Sequence, residues 1–267
     1  MIRVDDSHRI RTLTLDRPDR LNAFNEALYD AATEALLAAG DDPGVAVVVV
    51  TGTGRAFCAG TDVVEMAARN TGGVVDGEHG FGGLVDALVE FPKPLLCAVN
   101  GIAVGIGATM LGLADLVVMS RDARVRCPFT LLAVAPEAAS SYTFPVLMGR
   151  QRAAWALMSS EWMSAEECLD AGLAWRLCDA DALMTETMSA ARVLADKPLA
   201  SLLECKRVIA AASRGPIAEA RARENEAFRR LMGEPANVEA LAAFAERRSP
   251  DFVAIDGQHP VRTRDHR

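Results

Sequence analysis

Histidine, aromatic side chains and excess positive charge are all scarce in this sequence, and each scarcity removes a class of function. The chain of 267 residues has four histidines, His8, His79, His259 and His266, and they make no ligand spacing with cysteine or carboxylates. No metal site is therefore expected. Only His79 lies away from the chain ends, so the Ser140-Ser141 pair has no evident base for hydrolytic chemistry. The formal net charge is −8, without a basic block, which argues against a nucleic-acid surface. Aromatics make up 5% of a chain that is 51% hydrophobic, so the core must be built mainly from alanine, valine and leucine.

Long apolar runs are missing as well. Val45 to Val50 is far too short to span a bilayer, and Ile102 to Leu113 is interrupted by glycines. Met1 to Asp6 is charged at once and has no apolar segment of the secretory kind, so a soluble, intracellular protein is expected. The six cysteines are widely spaced in mostly apolar surroundings, which points to buried free thiols rather than disulfides.

What is present alternates between strand and helix signals. His8 to Leu15 reads as an opening strand, Glu26 to about Ala39 as an amphipathic helix, and Val45 to Val50 as a strand buried on both faces. Leu84 to Phe91 is a short helix ended by Pro92, Leu95 to Val99 a second apolar strand, and Leu116 to Met119 a third. Asn70 to Gly83 reads as a mobile loop. From about Ala153 the strand signals vanish, and Ser164 with Glu167 has capping-box spacing. Alanine-rich amphipathic helices then run to about Arg247. The expectation is an α/β core over residues 1–197 and a helical region over 198–267, with no linker between them.

Two segments have the design of an enolate-stabilising site. Ala59-Gly60-Thr61-Asp62 follows one buried strand, and Gly101 to Gly107 follows another. Glycines there let backbone N–H groups approach a developing oxygen charge, and a helix start adds its dipole. Either segment alone reads more readily as an ordinary turn. Gly105-Ile106-Gly107 is no dinucleotide fingerprint, because the third glycine is missing.

Taken together, Ala56 to Asp62 and Ala98-Val99-Asn100-Gly101 with Gly105 and Gly107 closely resemble the crotonase (enoyl-CoA hydratase/isomerase) superfamily. Asp16-Arg17-Pro18, Leu21-Asn22-Ala23, Ala114-Asp115 and Ala171-Gly172-Leu173 extend the match over nearly the whole chain. The resemblance implies a spiral of ββα units with a C-terminal helical oligomerisation region, assembled as a homotrimer or hexamer. It implies an acyl-CoA thioester as substrate and no tightly bound cofactor. It places the two oxyanion-hole N–H groups on Thr61 and Ile106, and CoA contacts along Ala59, Gly60, Thr61, Asp62 and Val63. Arg247 and Arg248 are candidates to meet the CoA phosphates.

The same resemblance separates two reactions. Hydratases of the superfamily use two glutamates, and the matching positions here hold Thr109 and Phe129, neither of which can move a proton at neutral pH. Glu137, after Pro136, matches the single base of peroxisomal-type Δ3,Δ2-enoyl-CoA isomerases. The expectation is isomerisation in fatty-acid metabolism, with 2-enoyl-CoA hydration and non-catalytic acyl-CoA binding as alternatives. Asp265-His266-Arg267 is no peroxisomal address, so a cytoplasmic location is expected.

Overall fold

The computed structural model describes residues 1–69 and 76–259, and its chain passes back and forth between two sheets. The strands are β1 (Ile2–Ser7), β2 (Ile10–Leu15), β3 (Val47–Gly52), β4 (Ala56–Cys58), β5 (Leu95–Val99), β6 (Ile102–Val104), β7 (Leu116–Ser120), β8 (Arg124–Arg126), β9 (Trp162–Ser164) and β10 (Arg176–Cys178). The helices are α1 (Glu26–Asp41), α2 (Val63–Arg69), α3 (Gly80–Val89), α4 (Ile106–Thr109), α5 (Ser140–Met148), α6 (Arg150–Met158), α7 (Ala165–Ala171), α8 (Leu183–Ala195), α9 (Leu199–Leu231), α10 (Pro235–Glu246) and α11 (Phe252–Gln258).

The larger sheet runs β1-β2-β3-β5-β7-β10 and the smaller β4-β6-β8-β9. Each of β3-β4, β5-β6 and β7-β8 therefore contributes one strand to each sheet before the chain turns into helix. That is the expected spiral of ββα units. All pairings are parallel except β1 with β2 and β8 with β9.

Strand β3 explains why the valine run has no polar alternation. Val48 and Val50 enter the core between the sheets, while Val47 and Val49 face a second core closed by Leu183, Ala191 and Ala195 of α8. A strand covered on both faces must be apolar throughout. The capping box at α7 forms as read, with Ser164 accepting from Glu167 N–H and the Glu167 carboxylate accepting from Ser164 N–H.

Four expectations needed correction. His8 and Arg9 are not strand residues: both have positive φ (51° and 65°) and turn the chain between β1 and β2. Strand β1 gave no sequence signal because it is an almost wholly exposed edge, so no apolar face is imposed on it. Strands do continue past Ala153, as β9 and β10, each of three residues at a sheet edge and too short to display a period of two. The expected loop Asn70 to Gly83 ends earlier, since Gly80 begins α3, and residues 70–75 lie outside the described residues. Four of the six free cysteines are buried, but Cys205 is exposed.

Lys93, between two prolines, is only 2% exposed. Its ammonium donates to Ala39 O at 2.7 Å and Asp42 O at 2.6 Å, carbonyls at the end of α1 that have no helical partner. Burial lowers its pKa from the ordinary lysine value. Lys93→Met removes these donors, and should cost about 2 kcal/mol. The expected readout is a lower urea midpoint at unchanged slope.

Candidate active site

The segment Ala59 to Asp62 is held by the stretch that precedes α1. Ala59 N–H donates to Leu21 O, Phe24 N–H to Gly60 O and Asp62 N–H to Phe24 O. Asn22, fully buried, donates to Thr53 O and Ala56 O and accepts from Arg17 N–H, which pins the strap to the start of β4. The Phe24–Thr61 bridge thus uses Gly60 C=O and Asp62 N–H and leaves Thr61 N–H outside the ladder. Asp62 caps α2, accepting from Val64 N–H, and lies 3.3 Å from Arg17 in an ion pair.

The second segment follows β6, which pairs with β4. Gly105 precedes α4, so Ile106 occupies the first helical position and its N–H has no intrahelical acceptor. Among the described residues no protein acceptor takes the N–H of Thr61 or of Ile106. Gly60 (φ +95°) and Gly105 (φ +53°) adopt backbone conformations that favour glycine. They also touch: a Cβ on Gly60 would lie 3.1 Å from Val104 O, and one on Gly105 3.6 Å from Gly60 Cα.

Glu137 joins this meeting point from a third element. A Cβ on Gly105 would sit 3.8 Å from Glu137 Oε1. Thr61 and Glu137 line a cavity of about 420 Å³ with Tyr29, Phe81, Phe228 and Met232. Tyr29 stacks on Phe24 at 4.7 Å and shares a 2.7 Å hydrogen bond with Thr61 Oγ1. Burial, and then the charge of Glu224, push the Glu137 carboxyl up from 4.5 to about 8. Burial and then the charge of Glu137 hold the Tyr29 phenol well above its ordinary value, and burial takes the Cys58 thiol to about 12.

The family is now decided. The Enoyl-CoA hydratase/isomerase family model matches residues 5–254. This chain belongs to that family. It is 34% identical to the 1,2-epoxyphenylacetyl-CoA isomerase of Escherichia coli K12, over 91% of this chain and 95% of that protein. Enoyl-CoA delta isomerase 2 of Rattus norvegicus is 35% identical over 75% of this chain and 52% of that protein. The crystal structure of enoyl-CoA hydratase EchA8_6 from Mycobacterium marinum is similar, with a TM-score of 0.75 and 58% identity over 78% of this chain and 98% of that one. The fold is that of the crotonase superfamily, and family members so similar carry both hydratase and isomerase names.

Of the residues named from the sequence, this enoyl-CoA hydratase/isomerase brings Thr61 and Glu137 to one cavity, while Ile106 follows Gly105, the glycine beside Glu137, and neither Ile106 nor Ala59, Gly60, Asp62 and Val63 lines that cavity. Thr109 and Phe129, 0% and 3% exposed, do not line the cavity. Glu65 does line it, and its carboxylate accepts from Glu26 N–H. Arg247 ends α10 in an exposed left-handed conformation, and Arg248 is paired with Glu239 and Glu246, so neither lines the cavity. Glu34, Glu78 and His79 lie close enough to share a cation, but none lines the cavity and two of the three are exposed carboxylates of a kind that commonly gather without one.

Sequence reasoning missed Tyr29, Phe81 and the C-terminal contributions Glu224, Asn225, Phe228, Arg229 and Met232. Tyr29 sits beside Leu28 in the α1 periodicity and could have been flagged as a polar tip on an apolar face. The α9 residues carry no local signal, since Glu224 meets Ala139 across 85 positions of sequence.

An acid with a folded pKa near 8 and an ordinary value of 4.5 destabilises the fold as pH rises between those values. Below them both states hold the proton, whereas within the window only the unfolded chain releases it. Above 8 both are ionised and the loss is complete. Glu137→Gln cannot ionise, so its melting temperature should gain on the wild type from pH 4.5 upward and level off above pH 8. Calorimetry across that range checks it.

Proposed function

We propose that the protein isomerises a 3-enoyl-CoA to the conjugated 2-enoyl-CoA, with Glu137 as the single base. The observation that carries this reading is the approach of the Glu137 carboxylate to the junction of the two glycine segments. Thr109 and Phe129, the positions matching the two hydratase acids, bear no carboxyl group.

The chemistry needs one group that first takes and then gives a proton. Glu137 removes a proton from C2, which the neighbouring thioester acidifies. The electron pair moves into the carbonyl, and the N–H groups of Thr61 and Ile106 hold the oxygen charge. Conjugation spreads that charge to C4, where the protonated Glu137 returns its proton. The C3=C4 bond becomes C2=C3, with no net gain or loss of atoms. A carboxyl raised to about 8 suits both halves, being a stronger base than an exposed glutamate and still a ready donor.

Hydration of a 2-enoyl-CoA is the second reading, favoured by further acids in the cavity, Glu65 among them, and by the name of the 58%-identical structure. Side-by-side assays with 3-enoyl-CoA and 2-enoyl-CoA separate the two. Conjugated thioester should appear from the first and persist from the second, and hydration of the second without isomerisation of the first would sink the proposal. Glu137→Gln should lower isomerase kcat by about 10²–10⁴-fold, the span of a lost general base. For the wild type, kcat/KM should climb with pH to a plateau above about 8, since the free enzyme's base must be ionised.

A further inference from the structure

Glu224 lies on α9, in the helical region that follows the core, yet it is 5% exposed and lines the same cavity as Glu137. Each of its carboxylate oxygens accepts one backbone N–H, Ala139 at 2.7 Å and Ser141 at 2.8 Å. These N–H groups sit at the start of α5, where no helical acceptor exists and the helix dipole favours negative charge.

The turn they fix is an unusual one. Ala138 (φ 55°) and Ala139 (φ 60°) are consecutive left-handed residues with side chains, a conformation that persists only where the surroundings impose it. Ser140 N–H closes the turn onto Glu137 O at 3.0 Å. A second tie holds the approach to this turn: the fully buried Asn237 of α10 donates to Leu132 O and accepts from Gly233 N–H. The segment that presents Glu137 is thus anchored twice by the C-terminal helices.

We infer that Glu224 is a positioning residue for the base: its carboxylate clamps the two-alanine turn so that Glu137 faces the junction of the glycine segments. Its charge also acts on the Glu137 carboxyl across the cavity that both line. The inference rests on the reading of Glu137 as the base.

The titratable and charged groups around Glu137 come from several elements. Tyr29 and Glu26 belong to α1, Cys58 to β4, Glu65 to α2, Glu224 and Arg229 to α9, and Cys127 follows β8. After burial itself, Glu224 is the group that raises the Glu137 pKa.

Two substitutions divide the clamp from the charge. Glu224→Gln keeps the size, removes the charge and leaves one of the two N–H groups without an acceptor. Glu224→Asp keeps the charge but withdraws the carboxylate by one methylene. For Glu224→Gln, the acidic limb of kcat/KM on 3-enoyl-CoA should move to lower pH by about one unit. Its plateau kcat should fall about tenfold or more, as a displaced base predicts. For Glu224→Asp, the midpoint should stay in place while kcat falls. The Glu137 carboxyl can also be titrated directly by 13C NMR of protein labelled at the glutamate carboxyl, its signal identified by its loss in Glu137→Gln.

An unchanged midpoint together with unchanged plateau kcat in Glu224→Gln overturns the inference. If Glu224→Gln does not fold, Glu224→Asp carries the test, and wild-type kcat there overturns it. Full turnover by Glu137→Gln would instead refute Glu137 as the base, while the NMR titration would still report whether Glu224 acts on that carboxyl.

Discussion

Everything at the candidate site depends on two stretches of backbone lying in contact. The parallel pairing of β4 with β6 delivers Ala59-Gly60 and Val104-Gly105 side by side, where a side chain at Gly60 would crowd Val104 O and both glycines hold a positive φ. Under the proposed function, this closeness is what lets one N–H from each segment serve a single oxygen atom. The small sheet is therefore the scaffold of the site, and its strands of about three residues suffice because they need only fix a register. The larger sheet, buried on both faces by valines and by α8, supplies the rigidity beneath.

The second requirement is a carboxylate at that contact that remains largely shielded from water. Glu137 is reached through a loop, not from a strand, and loops are not rigid by themselves. Here rigidity comes from Glu224 and Asn237, so the helices after residue 198 take part in the site as well as closing over it. Lys206 of α9 adds a further tie, 2.5 Å from Asp115 at the edge of β7. The Asp115 carboxylate also accepts from Leu95 N–H, so the same acid joins α9 to the start of β5. This gives a physical role to the Ala114-Asp115 pair noted in the sequence.

Legibility in the sequence followed burial and length. Buried runs such as Val45 to Val50 and Leu95 to Val99 could be read because a two-faced apolar environment leaves no freedom of residue type. The capping box at Ser164 could be read because both partners are within one turn. Strands β1, β9 and β10 could not, since an exposed edge imposes no pattern and three residues cannot display one. The start of α3 was concealed by glycines, which disfavour helix locally but are accepted here because Leu84, Val85 and Leu88 bury its apolar face.

The sequence by itself determined the apolar strands β2, β3, β5 and β7, the glycines that let two backbone segments meet, and the presence of one acid after Pro136. Those are local properties, written in residues that are neighbours along the chain or alternate in a strand. Tertiary structure alone decided that Glu137 stands beside Gly105, that Tyr29 reaches Thr61, and that Glu224 holds the turn on which Glu137 rides. The reason is geometric. A charge or hydrogen bond acts across a few ångströms of space, and residues 85 positions apart acquire such a distance only when the helices close over the core.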